Sequence, residues 1–588
     1  KYKEMAENNN QRTLALRAPR GVVFDRDGRV LVENRHSFNI SIVREHSKDL
    51  KRTIRELAAV THLDPRQVQT IVDRHRTEPS YRPVVIIEDA SLAQVAAVTA
   101  RRLESELPDV VVEEVPTRKY PEMAAHLFGY VGEVSDQQVQ KDDTVKAGDV
   151  AGQAGIEKVY NAVLKGEDGA RRVVVNSMGR EIRTLEEDPP TEGQRLQLTI
   201  DYDIQKAVED GFKAVADSGL TNAGAAVILD PNTGGVLAFS SKPAYDPNDF
   251  AAGIDRNTWS SLINDDKRPL SDRALQGRYS PGSTFKMAVA LAGLEEGVIT
   301  PDFKVFCPGH ADFYGRVFHC WLKSGHGAID LRHAIEQSCD VYFYTVANMV
   351  GIDKINKWAT LLGLGEISGI DLPNEVQGLV PSTEWKERVH HEKWYAGETI
   401  SVGIGQGQVS VTPISMAVYM ATLANGGTRV TPHLLKAVDD GHGWKPVPAP
   451  APQSKVDIDP DKLQAIRDGM WLVVNGPPGS HATGLAAAIA GEDVAGKTGS
   501  AQVISNQGRA AARGSGKDLR DNAWFVFFAP RDHPKIAGVV FLEHGIHGAN
   551  AARMTHHILD TFFAKQEGRP LPPPPTPESL HLVFSEAQ

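Results

Sequence analysis

The chain has 588 residues, enough for two to four domains of ordinary size with large cores. Apolar residues at 41% against charged residues at 24% are the balance of a folded, water-facing protein, which excludes wholesale disorder and collagen-like repeats. Lys and Arg total 64 against 75 Asp and Glu, and the resulting net charge of -11 argues against nucleic acid as a principal partner, since phosphate binding wants a basic face.

No run of about 18 apolar residues occurs, so no transmembrane helix is expected within this stretch. Lys1 opens the sequence without Met or a signal-peptide pattern, and any targeting or anchoring segment is expected upstream of it. In chain order, Ala18-Pro19-Arg20-Gly21 leads into Val22-Val23-Phe24, and Asp25-Arg26-Asp27-Gly28 turns the chain into Val30-Leu31-Val32. That is strand, tight turn, strand, because Asp and Gly tolerate the turn dihedrals. Amphipathic helices are predicted around residues 48–77 (Leu57, Ala58, Val60) and 90–106 (Leu92, Val95, Ala96). Further strands are predicted at Val110–Val115 and Arg171–Asn176, and no solenoid-type repeat is present.

A second region opens near Leu196 with a strand to Ile200 and a helix over Asp201–Val215. Ala225–Leu229 and Val236–Ser240 flank the turn Asp230-Pro231-Asn232-Thr233-Gly234-Gly235, a hairpin with strong turn chemistry. The middle is helix-rich, for example over Phe285–Leu294 and Leu331–Met349. Strands return at Ala523–Phe528 and Ile536–Leu542, followed by a helix at Ala551–Phe563. Strands at both ends with helices between predict an α+β domain, an antiparallel sheet flanked by helices plus a helical subdomain. The predicted division is residues 1–195 as a non-catalytic N-terminal domain, 196–566 as the catalytic domain, and 567–588 as a Pro-rich tail, extended or disordered. Trp444–Pro452 and Asn506–Asp521 are expected to be mobile.

Three motifs in one order carry the chemistry. Ser283-Thr284-Phe285-Lys286 opens an almost wholly apolar helix, Ser338-Cys339-Asp340 follows, and Lys497-Thr498-Gly499-Ser500 lies in a strand-like segment. Residues i and i+3 share a helix face, so Lys286 reaches the Ser283 hydroxyl. Burial among Met287, Val289, Leu291 and Leu294, with Lys497 nearby, is expected to leave Lys286 neutral and able to take a proton. A helix beginning at Ser283 aims backbone N–H groups at a developing oxyanion, and Gly499-Ser500 brings a second donor from the strand. Lys497 and Thr498 suit a substrate carboxylate, Asp340 the substrate amide, and Ser338 a proton relay to the leaving group. Together these are the parts of acyl transfer through a serine ester. Ser-x-x-Lys alone is cheap, with about one chance match in a chain this long, and Ser-x-Asp is most often a helix cap. Correct order, with helix context for the first motif and strand context for the last, sets the trio apart.

All three cysteines fall in one segment, and Cys307, Cys320 and Cys339 with His326 make a candidate Cys₃His structural zinc site. His310, His319, Asp312 and Asp330 compete for the fourth position; Gly325 and Gly327 favour His326 by letting the chain turn around it, and His310 is the runner-up. A Cys307–Cys320 disulfide with Cys339 buried, or three free thiols, are the competing readings. In an extended loop Cys339 points away from Ser338 and Asp340, so zinc would pin the motif from behind. No metal is invoked for catalysis.

On these motifs the chain resembles the class B penicillin-binding proteins. Arg20-Gly21 with Asp25-Arg26-Asp27-Gly28, Arg118-Lys119-Tyr120-Pro121 and Gly152-Gln153-Ala154-Gly155-Ile156-Glu157 resemble that family's pedestal motifs, and Gly403-Ile404-Gly405-Gln406-Gly407 resembles a stretch beside its cleft. Asp340, where many relatives carry Asn, and the Cys-rich segment point to the elongation-type branch, penicillin-binding protein 2. The resemblance implies a penicillin-binding, serine transpeptidase fold behind an elongated mixed α/β pedestal. It implies a D,D-transpeptidase in which Ser283 attacks the penultimate D-Ala carbonyl of a peptidoglycan stem peptide, with β-lactams as inhibitors. It further implies an N-terminal inner-membrane anchor, a periplasmic catalytic domain, and a RodA-type membrane glycosyltransferase among elongation-complex partners. The rival readings are a β-lactamase or β-lactam sensor, for which the N-terminal region is superfluous, and a non-catalytic scaffold, against which the intact motifs argue. His126 and Glu133 read as interface or, more commonly, solvated surface.

Overall fold

The computed structural model describes residues 11–77, 79–104, 106–141, 148–175, 181–503 and 518–585. Near its start the turn after Val23–Phe24 closes as its residues require: Asp25 Oδ1 accepts the Asp27 and Arg29 N–H groups at 2.9 and 2.7 Å, and Gly28 takes φ +89. The chain then runs into a long strand, Val30–Val43, which pairs antiparallel with Pro83–Ile87 and Val110–Lys119. The helix predicted over 48–77 is two, Leu50–Thr61 and Pro65–Arg74, because His62 turns left-handed (φ 60) and Pro65 cannot continue a preceding helix. With Leu92–Leu103, which starts on a Ser91/Gln94 capping box, they bury Ile54, Leu57, Val68, Val72 and Val98 against Ile40 and Ile42. This small core is separate from the main one.

The three pedestal motifs meet at one buried carboxylate. Glu157 Oε1 accepts Arg118 Nε at 2.6 Å, and Oε2 accepts Arg20 Nε at 2.9 Å. Burial alone would raise the Glu157 carboxyl, but Arg118 and Arg20 overcome it and hold the group below its ordinary value. His126 is buried too, contrary to the expectation of a solvated surface: it lies against Tyr245, with Nε2 2.9 Å from Pro269 O in the catalytic domain. Glu133 is exposed.

Arg195–Leu198 pairs parallel with Val23–Phe24 on one side and antiparallel with Leu435–Asp439 on the other. One sheet therefore runs through both halves of the chain, and the predicted boundary at 195/196 falls inside its shared strand. A second tie is ionic: Lys565 reaches Asp201 at 2.8 Å and Asp27 of the N-terminal turn at 2.6 Å.

In the catalytic domain, α1 (Tyr202–Asp217) begins on an Asp201 cap, and β1 (Gly224–Leu229) and β2 (Val236–Lys242) form the predicted hairpin. Helices α2 (Lys286–Glu295), α3 (Leu331–Glu336), α4 (Asp340–Val350), α5 (Pro413–Ala424) and α6 (Pro460–Asn475) follow. Strands β3 (Ala495–Ala501), β4 (Asn522–Ala529) and β5 (Ile536–Leu542) and helix α7 (Gly548–Glu567) close the domain. The five-stranded sheet has the order β2-β1-β5-β4-β3, each neighbour antiparallel. β4 and β5 are buried throughout, which is why both read as continuous apolar runs rather than alternating ones.

Two of the stretches expected to be mobile or disordered are placed. Trp444–Pro446 is a short exposed strand on Leu435–Asp439. The Pro-rich tail is not disordered over 570–585: Thr576 caps a helical turn at Pro577–Leu580, Leu580 is buried, and the chain beyond it lies on α7. Prolines that forbid a helix still permit an extended strap. Residues 504–517, most of the third stretch, lie outside the described residues. Among the described residues no helix is long and apolar enough to cross a membrane.

Candidate active site

Ser283 sits in a single 3₁₀ turn, Gly282–Phe285, that runs directly into α2. The turn is held by contacts only glycine allows. Gly282 N donates to Gly405 O at 2.9 Å, and a Cβ on Gly405 would stand 2.1 Å from Gly282 O. Opposite, a Cβ on Gly499 would meet Thr284 Cγ2 at 2.9 Å and Pro281 O at 3.0 Å. The glycine-rich stretch from Gly403 and the Lys-Thr-Gly strand thus clamp the serine turn from two sides.

Lys286, fully buried at the start of α2, donates from Nζ to Asp340 Oδ1 at 2.7 Å, Ser338 O at 2.9 Å and Ser338 Oγ at 3.2 Å. This convergence requires the helix predicted over Leu331–Met349 to break. Ser338 takes a left-handed φ of 54, and α3 and α4 end and begin on either side. The break turns Ser338 and Asp340 toward Lys286 and leaves Cys339 among the other cysteines, by a left-handed turn rather than the extended loop expected. Asp340 Oδ2 accepts the backbone N–H of Trp321 at 3.0 Å, so both carboxylate oxygens are engaged.

Lys286 is not surrounded by apolar groups alone, as the sequence suggested: a carboxylate meets its amine. Lys497 is the lysine held well below its ordinary value: burial is the main cause and the Lys286 charge adds to it, against a smaller opposing pull from Asp340. Its Nζ donates to Thr498 O at 3.0 Å. Thr498 Oγ1 donates to Thr483 Oγ1 at 2.8 Å, a support that no motif announced. β3 is the edge of its sheet, so alternate N–H groups along it point away from β4, and Ser500 at its outer end is exposed.

Behind Cys339 the second cluster assembles. The ligand atoms of Cys307, Cys320, His326 and Cys339 all lie within 4.8 Å of one another, with His326 Nδ1 3.5 Å from Cys307 Sγ and 3.6 Å from Cys320 Sγ. None of the three cysteines is joined in a disulfide. His310 instead faces His319 across a hairpin, and Asp330 caps α3. Cys339 and His326 pull Cys320 toward the thiolate while Cys339 itself is pushed up, the signature of thiols crowded around one negative charge. Zinc bonds of about 2.3 Å to sulfur at tetrahedral angles place ligands somewhat under 4 Å apart, so four soft donors at this spacing fit the ion. Gln337 and Asp340 are tied to this cluster through Trp321, whose backbone N–H donates to Asp340 Oδ2 and whose indole donates to Gln337 O at 2.9 Å. Trp321 acts on the site through its backbone and indole N–H groups and no motif announced it, whereas the glycine-rich stretch holding Gly405 was expected beside the site.

A serine turn clamped against an edge strand that carries a lysine, with a buried lysine and a second serine bonded beneath it, defines the class first: serine acyltransferases of the penicillin-recognising fold. The comparisons with known proteins agree. Residues 224–560 match the penicillin binding protein transpeptidase domain and residues 15–198 the penicillin-binding protein dimerisation domain. The peptidoglycan D,D-transpeptidase MrdA of Haemophilus influenzae is 36% identical over 579 residues, spanning 96% of this chain and 87% of that protein. The penicillin-binding protein PBP2 of Helicobacter pylori, solved in complex with MreC, superposes with a TM-score of 0.77 at 28% identity, covering 95% and 99% of the two chains. A chain of a peptidoglycan synthase complex that coordinates polymerization and crosslinking gives a TM-score of 0.70 at 29% identity, covering 96% and 94%. The chain belongs to the elongation-type class B penicillin-binding proteins and is a peptidoglycan D,D-transpeptidase.

Proposed function

We propose that Ser283 is the acylated nucleophile and that Lys286, Ser338 and Lys497 move protons and charge around it. The observation that carries this reading is the buried Lys286 amine, bonded at once to Ser338 and Asp340 at the foot of the Ser283 turn. Ser283 Oγ attacks the penultimate D-Ala carbonyl, and its proton passes to the unprotonated form of Lys286, whose new charge Asp340 balances. The carbonyl–nitrogen bond breaks, the terminal D-Ala leaves as an amine with a proton relayed through Ser338, and an ester remains on Ser283. A second stem's amine then attacks that ester, forms the cross-link amide and returns the proton to Ser283. Lys497, Thr498 and Ser500 hold the substrate carboxylate, Gly499 lets the strand approach the carbonyl, and Asp340 accepts from the substrate amide with any lone pair its partners leave open. β-Lactams present the same carbonyl and carboxylate, so their ring opens onto Ser283.

Intact mass after benzylpenicillin tests this. A persistent adduct of one drug per chain is expected, absent in Ser283→Ala; an adduct in the variant would move the nucleophile elsewhere.

Cys307, Cys320, His326 and Cys339 hold a structural zinc in this reading, which supplies a fixed anchor behind the Ser338 break and takes no part in the chemistry. Metal analysis of purified protein is expected to give about one zinc per chain, and much less would remove the ion from the account.

The catalytic domain works in the periplasm on lipid-linked glycan strands, anchored in the inner membrane by a single N-terminal segment. Elongation-complex proteins such as MreC, together with a RodA-type glycosyltransferase, are its partners. The MreC-bound relative and the synthase complex that couples polymerization to crosslinking support this placement.

A further inference from the structure

The tail beyond α7 turns back toward the catalytic strand. Arg553 Nη1 lies 3.4 Å from Leu580 O, Leu580 is buried, and Leu582 packs on the main core. Val583 then pairs with a single side chain. Its N–H donates to Asn550 Oδ1 at 2.8 Å and its carbonyl accepts Asn550 Nδ2 at 2.9 Å, a two-point pairing of the kind one strand offers another. The other Nδ2 hydrogen goes to Gly545 O at 2.9 Å, so Asn550, wholly buried, has every polar atom used. Two residues on, Ser585 O lies 3.0 Å from His547 Nε2.

These contacts bracket one residue. Gly548 lies between His547 and Asn550, and Asn550 N donates to His547 O at 2.9 Å. A Cβ at Gly548 would stand 2.8 Å from Gly499 N, and its own N–H donates to Ser500 Oγ at 3.2 Å. That bond has a direction. A hydroxyl oxygen that accepts an N–H must place its own hydrogen elsewhere. Ser500 is exposed at the end of β3, so the remaining direction opens to solvent beside the Gly282–Phe285 turn.

We propose that the C-terminal segment Leu580–Ser585 is a strap that positions Ser500. By pinning Asn550 and His547 it fixes the Gly548 N–H, which sets the Ser500 hydroxyl as a donor aimed at the substrate carboxylate. Val583 and Asn550 are positioning residues, acting only through Gly548. This rests on the reading of Ser500 as substrate-facing, made above.

The test is a double-mutant cycle on the full chain. Val583→Pro deletes one N–H donor, and a chain ended after Arg569 deletes the strap; each is combined with Ser500→Ala. Benzylpenicillin acylation is measured as a binding constant and a limiting rate, alongside thermal melting. Val583→Pro is expected to slow acylation about three- to tenfold, the worth of one oriented hydrogen bond. Ser500→Ala should cost the same, and the strap changes should add nothing in that background. A strap that is merely structural would lower the melting temperature of Val583→Pro with acylation unchanged, or its loss would multiply with Ser500→Ala; either overturns the proposal. If Ser500→Ala itself leaves acylation intact, the underlying reading of Ser500 fails and the strap falls with it. If the shortened chain does not fold, Val583→Pro alone decides.

Discussion

Lys286 Nζ and Asp340 Oδ1 stand 2.7 Å apart in a site where Lys286 has no solvent exposure, so the base and the third residue of the Ser-x-Asp motif form one ion pair. An Asn at 340 could keep the shape and would lose the charge.

The Asp340→Asn variant therefore isolates that charge. Asp340 opposes the fall of Lys497, so removing it lowers Lys497 further. The high-pH limb of acylation, where Lys497 loses its proton and its hold on the substrate carboxylate, is expected to move to lower pH. A pH–rate profile with benzylpenicillin checks this, and an unmoved or raised limb would show that the two groups do not communicate.

Gly405→Ala should disable the site without touching a reactive group. The methyl would stand 2.1 Å from Gly282 O at a φ of +71 that L side chains rarely adopt, so the Ser283 turn must give way. A displacement of this kind costs about a hundredfold in acylation rate. Gly397→Ala is the control, since its methyl meets only Tyr314 Cδ2, at 3.9 Å. Equal rates in the two variants would refute the clamp.

Glu157→Gln removes the carboxylate from between Arg20 and Arg118. Leaving two buried guanidiniums uncompensated is expected to cost about 3–5 kcal/mol of stability. The wild-type carboxyl is held below its ordinary 4.5, so its contribution is complete above that value and is lost as pH falls through the depressed one. Urea unfolding at pH 7 measures the loss, and a change under 1 kcal/mol would mean the pair is dispensable.

His126 gives the opposite kind of handle. Burial, helped by the nearby Lys242 and Arg273 charges and opposed by backbone bonds to Pro269 and Ser241, lowers it from 6.5 to about 4. Between those values the unfolded chain binds a proton that the folded chain refuses, so stability falls as pH drops from about 6.5 to 4, by about 3 kcal/mol. Asp272, raised by burial to about 7, titrates across the same range with opposite sign. The difference between wild type and His126→Phe, followed by melting from pH 7 to 4, isolates the histidine; parallel curves would contradict the assignment.

Much of this was legible beforehand, and the gaps have common causes. The hairpin at Asp230–Gly235 announced itself because turn chemistry is local. The catalytic trio was readable as three motifs in order, and the Cys₃His set because using every cysteine leaves few combinations. The break at Ser338 was hidden, since Leu331–Met349 is apolar on both sides and the left-handed turn falls on a serine rather than a glycine. The pairing of Asp340 with Lys286 depends on that break and was hidden with it. The docked tail was missed because proline content speaks to helix and not to packing. His126 looked like surface because one histidine carries no sign of the pocket formed by Tyr245 and Pro269.

The strand Arg195–Leu198 has a mechanical meaning. It is the inner rung between a strand of the pedestal and a strand of the catalytic domain, hydrogen-bonded on both edges. A pull along such a strand loads its bonds in shear, together rather than one after another. Force delivered along this strand from the pedestal therefore meets several hydrogen bonds at once before the two halves of the chain can part.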